Sequence, residues 1–177
     1  MAVSDKKVAL VLTKGVEQVE LTKPREALEK AGASTTLISP SEGTLQAMNG
    51  DWQHADVFDV DLPVSQAKAG DYDALVLPGG TLNADSLRLD ENAVALVKDF
   101  FAANKTVAAI CHGPWILAEA DVVRGRTMTS YKSLQTDLRN AGADWVDSEV
   151  VVDGNLITSR NPGDLDAFTK ALLDALS

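Results

Sequence analysis

Apolar residues fall into two alternating patterns along this chain: short unbroken runs, and longer stretches where they return every three or four positions. "KKVALVLTKG" holds the first run, closed by Gly15, and reads as a buried strand ending in a turn. From Glu17 to Ala31 the residues Val19, Ala27, Leu28 and Ala31 fit one helical face, with Gly32 as the stop. Pro24 is expected either to break this helix or to open a second one. Ser34–Ser39 is the next strand, and residues 41–70, the least regular stretch, predict a small hairpin or excursion. Ala74–Leu77 is a further buried strand, broken by Pro78, Gly79 and Gly80. Ala93, Val94, Leu96, Val97, Phe100 and Phe101 then mark the clearest helix, packing one face on a sheet.

"TVAAIC" is a strand that runs straight into Gly113 and Pro114, a helix opening, since proline in the first turn loses no needed N–H. The tail predicts "GRTMTSY" as strand, "SLQTDLRNAGA" as helix and "SEVVVDGNLITS" as a hairpin turning at Asp153 and Gly154. "GDLDAFTKALLDAL" is the closing helix. Strands alternating with helices of ten or more residues imply βαβ units around a mainly parallel sheet covered on both faces. Ligand crevices in such sheets lie at the carboxyl ends of the strands, where Gly15, Gly79, Gly80 and Cys111 would all sit.

Composition fits this picture. At 177 residues the chain can bury about two thirds of its unfolded surface in one core, so one domain over 1–177 is expected. Hydrophobic residues at 45% and charged residues at 24% are ordinary globular proportions, which argues against disorder and fibrous repeats. The net charge of −10, with no basic patch in any window, disfavours duplex nucleic acid and anionic membranes as partners. Near the N-terminus, two lysines precede only Val8–Leu12, too short for a signal core or a membrane span, so a soluble cytoplasmic protein is expected. The lone cysteine, which can form no internal disulfide, agrees with a reducing compartment.

That cysteine, Cys111, is either a small buried hydrophobe, as most are, or a nucleophile. A tight strand-to-helix turn lifts its residue out of the sheet, as in the nucleophile elbow of α/β hydrolases, although only the trailing glycine of that motif occurs here. At a helix N-terminus the thiolate would be stabilised and the thiol pKa lowered. Free N–H groups of His112 and Gly80 would then converge as an oxyanion hole if their loops are neighbours. His112 is open to two roles, general base or orienter of the turn, while His54 beside Trp52 reads as a surface residue. Glu17 and Glu20, three apart, either share a face towards Cys111, with a raised pKa and a proton shared with sulfur, or are solvated acids of a first helical turn.

The strings "GVEQVEL", "YDALVLPGG", "AAICHGP", "SEVVVDGNLITSR" and "PGDL", in this order across essentially the whole chain, resemble the PfpI-type intracellular peptidases. Their superfamily includes the parkinsonism-associated deglycase and is related to class I glutamine amidotransferases. The resemblance implies a flavodoxin-like α/β three-layer sandwich with a nucleophile elbow, assembled as a homodimer or higher homo-oligomer. It also implies Cys111 as nucleophile, His112 as the histidine that follows it and Glu20 as the buried glutamate bonded to sulfur. Glu17 matches a second acid of the motif, Gly80 and His112 the backbone donors, and Tyr131 a tyrosine lining the pocket. In the peptidases an acid after the "PGG" turn reaches the histidine of a neighbouring subunit. Asp85, one methylene shorter than the usual glutamate and set after a longer loop, is the nearest match, which weakens the peptidase reading.

The function expected from these residues is cysteine-dependent hydrolysis of small 2-oxoaldehydes or their adducts, a glyoxalase or deglycase activity protecting against carbonyl stress. A glycated protein or peptide is the alternative form of the substrate, and no cofactor or metal is required. Two other readings stand beside it: an intracellular cysteine peptidase, and a non-catalytic redox sensor or chaperone in which peroxide oxidises Cys111.

Overall fold

The computed structural model describes residues 3–177; Met1 and Ala2, part of the expected single domain, lie outside the described residues. Seven strands form the central sheet: β1 (Lys7–Val11), β2 (Ser34–Ser39), β5 (Leu62–Pro63), β6 (Ala74–Leu77), β7 (Thr106–Ile110), β10 (Val150–Asp153) and β11 (Leu156–Ser159), in the order β10-β11-β7-β6-β1-β2-β5. Every pairing is parallel except β10 with β11. Alternation along β1 explains the two-faced burial. Ala9 and Val11 enter one core with the helices α3 (Glu91–Ala102), α4 (Trp115–Glu119) and α5 (Gln135–Asn140), while Val8 and Leu10 enter another with α1 (Gln18–Lys30) and α6 (Leu165–Leu176). This is the three-layer, flavodoxin-like α/β sandwich expected. Among the described residues no helix is long and apolar enough to cross a membrane.

The irregular stretch is a hairpin, β3 (Thr44–Asn49) and β4 (Gln53–Asp59), attached beside α1 by an isolated bridge between Glu17 and Met48. Four expectations differ from the structure. α1 runs unbroken through Pro24, itself buried, because Leu21 and Leu28 on either side are fixed in the core. A short helix, α2 (Thr81–Leu87), follows the "PGG" turn and was not expected. "GRTMTSY" supplies only β8 (Thr127–Met128), paired with β9 (Asp144–Trp145), since Thr129 and Ser130 turn to Thr158 and Trp145 instead. The C-terminal hairpin turns at Gly154 and Asn155, because Asp153 still pairs with Leu156.

Candidate active site

The order β7-β6-β1 makes the turns that follow these strands neighbours at their carboxyl ends. β7 ends at Ile110, and Cys111 takes a left-handed φ of 62°, a conformation that costs a non-glycine residue about 1–3 kcal/mol. Two backbone hydrogen bonds hold it there: its N–H donates to Ser159 O at 3.0 Å, and its carbonyl accepts from Tyr131 N at 2.8 Å. Gly79 and Gly80 lie against this elbow. A Cβ on Gly79 would overlap Glu20 Oε2 and stand 2.7 Å from Cys111 Cβ, and Gly80 has a φ of 92°. Only glycine lets this backbone approach both acid and sulfur.

Glu20 is completely buried, and its Oε2 accepts a hydrogen bond from Gly79 N at 2.8 Å. Oε1 finds no nitrogen or oxygen partner, and the polar group left beside the carboxyl is the Cys111 thiol. Burial, reinforced by Glu17 and Asp51, lifts the Glu20 carboxyl to about 8, so it is protonated at neutral pH.

Here the structure corrects the expectation for the cysteine. Burial first, and the Glu20 charge second, push the Cys111 thiol up rather than down. The expected dipole is missing because α4 is a five-residue helix that begins at Trp115, beyond the turn carrying Cys111. What opposes the rise is a pair of backbone N–H groups, from Gly80 and His112, directed at sulfur. Acid and thiol are one coupled pair in which the carboxyl keeps its proton up to about 8 and the thiol is pushed higher still, the two backbone donors opposing that rise in part.

The His112 ring is stacked on Tyr131, with centroids 4.6 Å apart, and Nδ1 lies 3.3 Å from Cys111 Sγ. Burial lowers its pKa, so the imidazole is neutral. Glu17 precedes α1 at its N-cap instead of sharing a helical face with Glu20. Its Oε2 accepts from Gly50 N at 2.9 Å, tying the β3–β4 hairpin to the site, and burial raises its pKa. Glu17, Glu20, Gly80, Cys111, His112 and Tyr131 therefore line one cleft of about 250 Å³, together with Asp51 and Thr81. Asp85 is exposed on α2 and does not line it, and His54 is exposed on β4.

Asp51, Thr81 and Asn83 were missed by sequence reading. Asn83 is fully buried: its Oδ1 accepts from Thr13 N at 2.7 Å, and its Nδ2 donates to the carbonyls of Pro78 and Gly79. It fastens the turn after β1 to the turn after β6. The one available signal was position, since Thr81 and Asn83 follow directly on the "PGG" turn.

Comparison with known proteins agrees with this geometry. The model of the DJ-1/PfpI family matches residues 6–175. The putative cysteine protease YraA of Bacillus subtilis is 40% identical over 171 residues, covering 97% of this chain and 98% of that protein. The deglycase PYRAB04690 of Pyrococcus abyssi is 43% identical over 160 residues, covering 90% and 93%. Among solved structures, a two-domain protein of Anabaena variabilis with DJ-1/ThiJ/PfpI-like and ferritin-like domains superposes with a TM-score of 0.91 at 38% identity, covering 97% of this chain and 48% of that one. DJ-1beta of Drosophila melanogaster gives 0.87 at 29% identity, covering 97% and 90%. With its elbow cysteine, its buried glutamate and a family match over nearly its full length, the chain belongs to the DJ-1/PfpI family.

Proposed function

We propose that the protein is a cysteine-dependent hydrolase of 2-oxoaldehydes such as methylglyoxal, or of their adducts on amino and thiol groups. The observation that carries this reading is the surround of Cys111: a protonated carboxyl, two backbone N–H groups and a neutral imidazole in a cleft of about 250 Å³. An aldehyde adds to sulfur without expelling a leaving group, so no strong acid is needed to protonate a departing amine. The thiol proton passes to His112, sulfur bonds the aldehyde carbon, and the carbonyl oxygen takes up charge between the Gly80 and His112 N–H groups before it is protonated. Glu20 supplies that proton, and the carboxylate so formed takes the proton from the former aldehyde carbon and returns it to the neighbouring carbonyl carbon, while His112 gives the thiol's proton to the second oxygen and takes the one on the first. That shift leaves a thioester. Water cleaves it to the 2-hydroxy acid and returns the thiol, so methylglyoxal plus water gives lactic acid with no external oxidant.

The names of the deglycase and cysteine protease relatives fit a hydrolytic cysteine without fixing its substrate. Incubation with methylglyoxal, with lactate followed by NMR, tests the reading beside Cys111→Ala, Glu20→Gln and a casein assay. Lactate production by the wild type, abolished in Cys111→Ala and reduced at least about a hundredfold in Glu20→Gln, is expected. Casein cleavage without lactate would favour a peptidase; no turnover of either, with fast reversible peroxide oxidation of Cys111, would favour a redox sensor. The reading includes a homodimer as the smallest assembly, for which light scattering should return at least twice the 18.8 kDa of one chain.

A further inference from the structure

We infer that Asp51, acting through the Thr81 hydroxyl, fixes the tautomer of His112 so that Nδ1 is the bare nitrogen facing Cys111. Asp51 lies just beyond β3 in the β3–β4 turn, at the rim of the cleft. Its Oδ2 is 2.9 Å from Thr81 Oγ1 and its Oδ1 is 3.3 Å from Thr81 N. Both Asp51 oxygens face Thr81 donors, so the single Thr81 hydroxyl hydrogen is committed to Asp51. What Thr81 Oγ1 then offers His112 Nε2, 3.5 Å away, is a lone pair. Ser133 Oγ, 3.3 Å from the same nitrogen, can accept from an N–H or donate to a bare nitrogen, so the choice falls to Thr81. Nε2 therefore carries the hydrogen, because a bare Nε2 would set two lone pairs against each other on the Thr81 side. A neutral imidazole has one N–H, so Nδ1, 3.3 Å from Cys111 Sγ, is left as an acceptor. Stacking on Tyr131 holds the ring plane in which Nδ1 faces sulfur.

The other acids that face this pair do not do this. Glu20 lies on the sulfur side and is protonated, and Glu17 is engaged with Gly50 N. Asp85 does not line the cleft. The consequence is a proton path within one subunit: the S–H bond breaks, its electron pair stays on sulfur, the proton binds Nδ1, and the imidazolium is held through Thr81 by Asp51. Asp51 is thus a positioning residue, acting through Thr81 and His112.

This inference concerns the resting site and does not depend on the substrate, so its test uses no substrate. The chain has only two histidines, and long-range ¹H–¹⁵N spectra at pH 7.5 separate buried His112 from exposed His54. The Nε2–H tautomer is expected for wild-type His112. In Asp51→Asn the new amide can donate to Thr81 Oγ1, which releases the Thr81 hydrogen towards Nε2. The ring should then shift to Nδ1–H, and iodoacetamide labelling of Cys111 at pH 7 should slow at least about tenfold. The direction of this change is decisive. Were Asp51 no more than a rim charge, its neutralisation would ease thiolate formation and speed labelling. Thr81→Val should reproduce the slow phenotype and Thr81→Ser should restore the wild-type rate, with thermal melts confirming the fold of each. An Nδ1–H ring in the wild type, or labelling as fast or faster in Asp51→Asn with Nε2–H retained, would overturn the inference whatever methylglyoxal turnover shows.

Discussion

A carboxyl group with no exposure, one backbone N–H partner and a thiol for a neighbour is easier to keep protonated than charged, and Glu20 is such a group. Its elevation is also a statement about stability. Between pH 4.5 and about 8 the folded chain holds a proton on Glu20 that the unfolded chain has released, so unfolding free energy falls as pH rises through that window. At about 1.4 kcal/mol per pH unit the loss is on the order of 4 kcal/mol, present as stability at pH 4.5 and gone by pH 8. Glu20→Gln has no such proton to lose. Urea melts at pH 5 and pH 8 should therefore show a steeper fall for the wild type than for the variant. His112, with a lowered pKa, gives the opposite slope below 6.5 but is common to both proteins and cancels in the difference. Parallel pH slopes for the two proteins would mean that Glu20 titrates like an ordinary carboxylate.

Between elements, the site depends on turns more than on helices. Asn83 joins the turn after β1 to Pro78 and Gly79 through three buried hydrogen bonds, and the Gly79 N–H so positioned is the one that Glu20 accepts. Asn83→Leu keeps the volume but orphans the Thr13 N–H and releases the two carbonyls. A loss of about 3 kcal/mol in urea unfolding is expected, with faster hydrogen exchange at the Thr13 amide. A loss below about 1 kcal/mol would show that the turns hold without it. The same contrast explains what the sequence could reveal. Strand β6 was legible to the residue because both faces are covered and its apolar run is unbroken, and β2 because its β-branched threonines lead into the buried Leu37 and Ile38. α2 was not, since "TLNADSL" offers two large apolar residues, one of them, Leu82, 51% exposed; of the two only Leu87 enters the core, and the polar side chain of Asn83 adds to its hold. Cys111, His112 and Glu20 were found through motifs local in sequence. Asp51 and Thr81, 30 positions apart, meet only because the hairpin is bridged to Glu17, a contact that no periodicity encodes.

At the scale of the whole molecule, the net charge of −10 and the cleft act in the same direction. Glu20, being protonated, adds no charge, but Glu17 and Asp51 also line the cleft and neither lysine nor arginine does, so an anion approaching Cys111 meets a negative field without a local counter-charge. At an effective dielectric of about 20, a carboxylate about 6 Å away opposes such an anion by roughly 3 kcal/mol before screening, and solvent at the exposed rim reduces that to about 1–2 kcal/mol. Under the proposed reaction the same field would help expel the 2-hydroxy acid, which leaves as an anion, while the neutral aldehyde enters freely. Iodoacetamide and iodoacetate isolate this effect, because they alkylate the same thiol with similar size and differ in charge. Relative to a small free thiol, Cys111 should prefer the neutral reagent by about tenfold at 10 mM salt, the ratio that 1.4 kcal/mol gives. Raising salt to 300 mM shortens the screening length from about 30 Å to below 10 Å and should narrow the preference by speeding iodoacetate alone. Equal reactivity at low salt would mean that solvent screens the acidic lining at the sulfur, and that charge takes no part in which carbonyl compounds reach it.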